Sequence, residues 1–145
     1  MNSSFVVSII IGSISCMFVG LLFMNIDSTK QLKFVEGSSL SIITEKTNFR
    51  IGEKVTIHLI NSGTTKLKFT EMLFKITSLG GRSLYASSID NKTVYLDPQN
   101  TKTIIWDQIK NNKDTLSVGR YKITSSAIDN LNNLTTSSII INIIQ

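Results

Sequence analysis

Residues Lys54–Ile60 read KVTIHLI, and their alternation decides the fold class. Val55, Ile57 and Leu59 are apolar, whereas the residues that precede each of them are Lys, Thr and His. A hydrophobic period of two is typical of a β-strand with one buried face. Asn61-Ser62-Gly63 follows directly and has the composition of a turn, so the strand is predicted to end there.

Similar short segments, separated by turn residues, fill the rest of the chain after residue 37. The further predicted strands are Ser39–Thr44, Lys66–Thr77, Ser83–Ile89, Thr93–Leu96, Lys102–Trp106, Tyr121–Ile128 and Thr135–Ile144. The apolar parity changes near Thr70-Glu71, which predicts a β-bulge or a break between two strands. Gly80-Gly81 predicts a hairpin turn. We therefore predict an all-β fold over residues 38–145, an immunoglobulin-like antiparallel β-sandwich of seven to eight strands.

The N-terminal segment has a different character. Phe5–Met24 reads FVVSIIIGSISCMFVGLLFM, which is 20 residues without a charge. A helix of this length spans about 30 Å, the thickness of the hydrocarbon core of a bilayer. We expect a transmembrane anchor within residues 1–26 and a linker at 27–37. A cleaved signal peptide is the alternative, although MNSS lacks Lys and Arg and no small-x-small site follows.

The flanking charges and the glycosylation sequons bear on orientation. Lys30 and Lys33 follow the apolar segment, which favours a cytoplasmic domain by the positive-inside rule. The sequons at Asn91 and Asn133 favour an exported domain and mark both residues as candidate glycosylation sites. The predicted localisation is the cell membrane, with a single span and an extracytoplasmic domain.

The charge pattern and the cysteine content exclude some functions. The net charge is +5, but the sequence contains no run of five basic residues and no Lys/Arg cluster interleaved with aromatics. No nucleic-acid partner is therefore expected. Cys16 is the sole cysteine, so the β-domain cannot form an internal disulfide and must rely on its hydrophobic core.

The sequence carries no pattern of catalytic residues. His58 is the only histidine, which excludes the usual zinc sites. Neither a G-x-S-x-G nucleophile elbow nor a P-loop is present. Asp90, Asp97, Asp107 and Asp114 fall in or near predicted loops, but they lack the spacing of a calcium-binding loop. The prediction is a protein without enzymatic activity, cofactor or metal.

Four short motifs follow one another between Asn48 and Ala127. NFRIGEKVTIHLIN begins at Asn48, LDPQNT at Leu96, WDQ at Trp106 and GRYKI at Gly119. The first motif resembles the opening of prokaryotic immunoglobulin-like domains, and the order of the other three resembles the BsuPI-type (intracellular proteinase inhibitor) β-sandwich family. The resemblance implies a β-sandwich and, as an expectation, inhibition of a proteinase; it implies no specific contact residues.

The last two motifs also have a direct physical interpretation. Gly119-x-Tyr121 at the start of a strand predicts a tyrosine corner, in which the phenol donates a hydrogen bond to upstream backbone. Trp106 is predicted to close one end of the core. We interpret Trp106, Gly119 and Tyr121 as structural residues.

The anchor, the predicted sandwich and the motifs lead to three functional hypotheses. The first is a non-catalytic, membrane-anchored immunoglobulin-like module for protein binding or cell-envelope scaffolding, with residues 5–24 in the membrane and an unidentified protein partner. The alternatives are a proteinase inhibitor of the BsuPI type and a pilin-like or filament-base surface component. In the first hypothesis, exposed sheet edges are the expected contact surface.

Overall fold

The computed structural model describes residues 34–89 and 92–145, and within them the regular secondary structure consists of β-strands. The strands are β1 (Leu40–Thr44), β2 (Asn48–Arg50), β3 (Val55–Asn61), β4 (Leu67–Phe69), β5 (Met72–Ser78), β6 (Ser83–Ser88), β7 (Val94–Leu96), β8 (Thr101–Trp106), β9 (Gly119–Ile128) and β10 (Leu134–Ile144). The described ranges contain no helix that could span a bilayer. The predicted anchor and most of the predicted linker lie outside them.

The strands form two sheets. The three-stranded sheet has the order β1-β3-β8. The seven-stranded sheet has the order β2-β10-β9-β4-β7, and β9 also pairs with β5, which in turn pairs with β6. Every pairing is antiparallel except that of β2 with β10, which is parallel. The all-β sandwich predicted from the sequence is confirmed.

The prediction of seven to eight strands, all antiparallel, needs correction, because the described residues form ten strands and one parallel pair. β2 has only three residues, too few to show a periodicity. The predicted strand Lys66–Thr77 is two strands, β4 and β5, separated at Thr70 and Glu71 where the parity changes. The hairpin turn after β5 is present, with Gly81 at a φ of 87°.

The hydrophobic core lies between the two sheets. Val55, Ile57 and Leu59 of β3 are fully buried, as their alternation predicts. Each such side chain contributes about 1.5–3 kcal/mol relative to exposure. The buried apolar residues of the core are Leu40, Ile42, Phe49, Val55, Ile57, Leu59, Leu67, Phe69, Phe74, Ile76, Leu96, Trp106, Leu116, Tyr121, Ile123, Ala127, Ile141 and Ile143.

The residues before β1 are attached to the loop after β3. The Val35 amide donates to the Ser62 carbonyl at 2.9 Å, and the Thr64 amide donates to the Gly37 carbonyl at 2.9 Å. A Cβ at Gly63 would lie 2.1 Å from the Gly37 carbonyl oxygen, so this close approach requires glycine. Residues 35–37, the end of the predicted linker, are thus hydrogen-bonded to the sandwich.

Candidate functional site

The three residues interpreted as structural lie at the end of the sandwich where β8 ends and β9 begins. Trp106 is buried, and its Nε1 donates to the Ile109 carbonyl at 3.0 Å. The Tyr121 hydroxyl donates to the Ser117 carbonyl at 2.8 Å. A Cβ at Gly119 would lie 3.4 Å from the Tyr121 hydroxyl, which is an ordinary van der Waals contact, so the phenol does not require glycine at this position. The side chains of Trp106 and Tyr121 pack at this end of the core.

Gln108 has a structural role that the sequence patterns did not reveal. Its side chain is buried; its Nε2 donates to the Arg50 carbonyl at 2.7 Å and to the Glu53 carbonyl at 2.8 Å. Its Oε1 accepts from the Gly52 amide at 3.1 Å. One amide therefore holds the turn between β2 and β3, and its own backbone has a φ of 62°. The WDQ motif showed only where the strand ends, because a lone Gln has no periodic pattern.

Asp129 organises the turn between β9 and β10. Its carboxylate accepts hydrogen bonds from the Ser38 hydroxyl and from the side chain and backbone of Asn133, and from the Leu131 amide. These hydrogen bonds lower the pKa of Asp129 to about 2, and the bond from Ser38 has the largest effect. Because Ser38 precedes β1, this carboxylate also joins the N-terminal end of the domain to β9.

Of the two candidate glycosylation sites, only Asn133 lies within the described residues. Asn91 lies outside the described residues. Asn133 is exposed, but its Nδ2, the atom that a glycan would occupy, donates to the Asp129 carboxylate at 2.9 Å. Glycosylation at Asn133 would therefore compete with the hydrogen bonds that shape this turn.

Within the described ranges, no group of three or more His, Cys, Asp or Glu side chains lies close enough to hold a metal ion. Asp97 forms an ion pair with Lys66 at 2.9 Å, and Asp90 lies outside the described residues. His58 on β3 is half-buried, and its Nδ1 lies 3.0 Å from the hydroxyl of Thr103 on the neighbouring strand β8.

β8 leaves an unpaired strand edge, which we call the open edge. In the described part of the chain it pairs only with β3. The Asn61 amide donates a hydrogen bond to the Asn100 carbonyl, just before β8 begins. In an antiparallel ladder, hydrogen-bonded residue pairs alternate with pairs that are not hydrogen-bonded to each other. Thr101, Thr103 and Ile105 belong to the second kind of pair. The backbone N–H and C=O groups of Thr101, Thr103 and Ile105 consequently point away from β3.

The open edge is accessible along its length. Five of the six β8 residues are exposed or half-buried, and the side chain of Ile105 is 63% exposed. β6, an edge strand of equal length, is different because Asn111 covers it. The Asn111 amide donates to the Leu84 carbonyl at 3.1 Å, and its side-chain Oδ1 accepts from the Ala86 amide at 3.3 Å.

A second surface feature is the outer face of the seven-stranded sheet. Arg50, Lys68, Lys75, Arg120 and Lys122 occupy outward positions on four of its strands, and we call this set the basic face. The ten strands contain no Asp or Glu. No basic cluster is visible in the sequence because these residues are scattered along the chain; the strand register brings them to one face.

The chain has distant similarity to solved structures. No family model matches the chain. No curated protein matches it either. Among solved structures it is similar to Spo0M, a sporulation control protein from Bacillus subtilis, with 12% identity over 75% of this chain and a TM-score of 0.43. It is also similar to a CARDB domain from Pyrococcus furiosus, with 15% identity over 73% of this chain and a TM-score of 0.38.

Both solved structures are β-sandwiches of the immunoglobulin-like type. The chain spans 50% of the Spo0M chain and 93% of the CARDB chain. At this level of identity neither protein's function is transferred to the chain. The resemblance to the BsuPI-type family, and with it the inhibitor hypothesis, stays a prediction.

Proposed function

We propose that this chain is a non-catalytic, membrane-anchored module that binds a protein partner by strand addition at the open edge. The observation that carries the proposal is the set of outward backbone groups of Thr101, Thr103 and Ile105 on β8. An extended segment of another protein can complete these hydrogen bonds and extend the three-stranded sheet.

The contrast between the β8 edge and the β6 edge supports this choice of site. Natural proteins protect exposed edges because unpaired strands recruit other chains. Asn111 bonds to two backbone groups of β6, the Leu84 carbonyl and the Ala86 amide, whereas no described residue outside β3 makes such bonds to β8. The exposed Ile105 adds an apolar contact for a side chain of the incoming strand.

The test is photocrosslinking of the full chain in the cells that make it. A photoreactive amino acid replaces Ile105 in one strain and Tyr95 in another; Tyr95 is similarly exposed but lies on β7 of the other sheet. We expect a discrete adduct from position 105 and none from position 95. The mass of the adduct separates a partner protein from a second copy of this chain.

A proline at position 103 tests the strand-addition geometry. Thr103→Pro removes an N–H that points away from β3, so the internal ladder keeps its bonds and the domain can remain folded. Thr103→Val is the matched control, because it loses the hydroxyl but keeps the N–H. The proposal predicts loss of the adduct with proline alone; an adduct of equal yield from both variants would refute it.

The anchor is a separate element of the proposal. The uncharged segment Phe5–Met24 supports it, and alkaline extraction of membranes tests it. We expect the full chain to stay in the membrane fraction. Orientation is tested with a tag after Gln145 and a protease added to intact cells. Cleavage of the tag supports an extracytoplasmic domain, and protection of the tag supports a cytoplasmic domain.

A further inference from the structure

We propose that the basic face docks on the surface of an anionic lipid bilayer. The tether that holds the face near the bilayer rests on the anchor of the proposed function; the face itself is defined by the described residues alone. The bilayer contact uses the seven-stranded sheet, and the open edge belongs to the three-stranded sheet. Both contacts can therefore form at once.

The strand register places the cations in a band along β9. Arg120 and Lys122 are two residues apart on β9, so about 7 Å separates them. Lys75 of β5 lies opposite Thr124, and Lys68 of β4 lies opposite Ile128. The cations therefore follow the strand from one end of the sheet toward the other.

These cations are available to a ligand. The ion pairs among the described residues are Lys46–Glu53 and Lys66–Asp97, and neither includes a member of the basic face. Glu71 lines a shallow cleft of about 260 Å³ together with Lys68 and Lys75, and it is the acidic residue of that cleft. A second carboxylate, Glu53, lies beside Arg50 and Ile144, and its charge interacts with that of Arg50. Five cations thus share the face with two carboxylates at its rim, of which Glu53 is already ion-paired to Lys46.

The layout of the face favours a bilayer over a discrete anion. Lys68 and Lys75 share one cleft, but the other three cations are spread over the sheet outside it. Ile140 lies opposite Lys122, and Ile144 lies opposite Arg50. Their side chains are 40% and 42% exposed. Apolar side chains set among cations suit the boundary between headgroups and acyl chains.

The chain before the domain limits how far the domain can move from the proposed anchor. Nine residues separate Met24, the end of the apolar segment, from Phe34, where the described residues begin. Even fully extended, they reach only about 35 Å. The tether raises the effective concentration of the face at the surface, so contacts that are weak one by one suffice for docking.

The experiment uses the full chain with Cys16→Ser and Ser138→Cys. Ser138 is exposed on the same sheet face, opposite Thr124. A fluorophore on this cysteine reports docking through a quencher carried by the lipids. The chain is reconstituted into vesicles of phosphatidylcholine alone or mixed with phosphatidylglycerol. We expect quenching in the anionic vesicles at low salt and its loss at high salt, because salt screens the attraction.

Charge reversal tests which residues are responsible. Each Lys or Arg near an anionic surface strengthens binding about fivefold, so Lys75→Glu/Lys122→Glu should lower the ratio of docked to undocked domain by roughly 30-fold or more. Lys54→Glu/Lys102→Glu makes the same change in net charge away from the seven-stranded sheet and should leave the ratio nearly unchanged. Equal quenching in neutral and anionic vesicles overturns the proposal. So does an equal loss of quenching in the two double-charge-reversal variants.

Alkaline extraction of the same vesicles separates this proposal from the anchor. If the chain is extracted from phosphatidylcholine vesicles, the anchor is wrong. Binding of added chain to anionic vesicles, measured by co-sedimentation, then tests the face on its own, with the same two pairs of variants. Sedimentation that is independent of lipid charge would again overturn the docking proposal.

Discussion

Gln108 offers the most direct test of how the sandwich is held together. Its buried amide makes three hydrogen bonds to the backbone of residues 50–53. Gln108→Ala removes all three, and each is worth about 1 kcal/mol net. We therefore expect the free energy of unfolding to fall by about 3 kcal/mol, a large part of the roughly 5–15 kcal/mol typical of a domain.

A second substitution at the same position separates the side chain from the backbone. Gln108 has a φ of 62°, which costs a non-glycine residue about 1 kcal/mol. Gln108→Gly loses the same hydrogen bonds but relieves this strain, so it should be destabilised by about 2 kcal/mol.

The assay is urea unfolding of the full chain in detergent, followed by fluorescence of Trp106, the single tryptophan. An alanine variant within about 0.5 kcal/mol of the parent, the usual range for surface substitutions, would refute the reasoning. A glycine variant as unstable as the alanine variant would refute the part that concerns backbone strain.

Two further predictions concern the turns at either end of β9. Tyr121→Phe removes the hydrogen bond to the Ser117 carbonyl and should lower the free energy of unfolding by about 1 kcal/mol; an unchanged urea midpoint would contradict it. Folding lowers the pKa of Asp129 from 3.8 to about 2, and the hydrogen bond from the Ser38 hydroxyl is the largest cause. The ionised carboxylate therefore contributes its full stabilisation at a pH above the pKa of the unfolded state. This stabilisation is lost as the pH falls through the folded value. Asp129→Asn should therefore flatten the decline of the thermal midpoint between about pH 4 and pH 2. If the thermal midpoint of the variant falls with decreasing pH as steeply as that of the parent, the carboxylate does not have this role.

Local patterning was enough to predict much of the fold. The alternation in Lys54–Ile60 identified the buried face of β3, since side chains in a strand point alternately to its two faces. The change of parity at Thr70-Glu71 marked the point where β4 ends and β5 begins. Both strands pair with β9, at different places along its length.

Features that depend on pairing between distant strands could not be predicted. β2 is only three residues long, and its register with β10 has no local pattern. The basic face was missed for the same reason. Lys68 and Lys75 have opposite parity in the sequence, and only the break between β4 and β5 places both on the outer face. Gln108 was missed because its partners lie more than 50 residues away.

The parallel pairing of β2 with β10 constrains how the protein is made. Asn48 and Asn142 are hydrogen-bonded across 94 residues of sequence. A ribosome adds about 5–20 residues per second, so β2 is synthesised roughly 5–20 s before its partner. Throughout that interval Phe49, buried in the finished domain, lacks the strand beside it. Completion of the sheet is therefore a late event in the life of the nascent chain, because β2 has no partner strand until β10 has been synthesised.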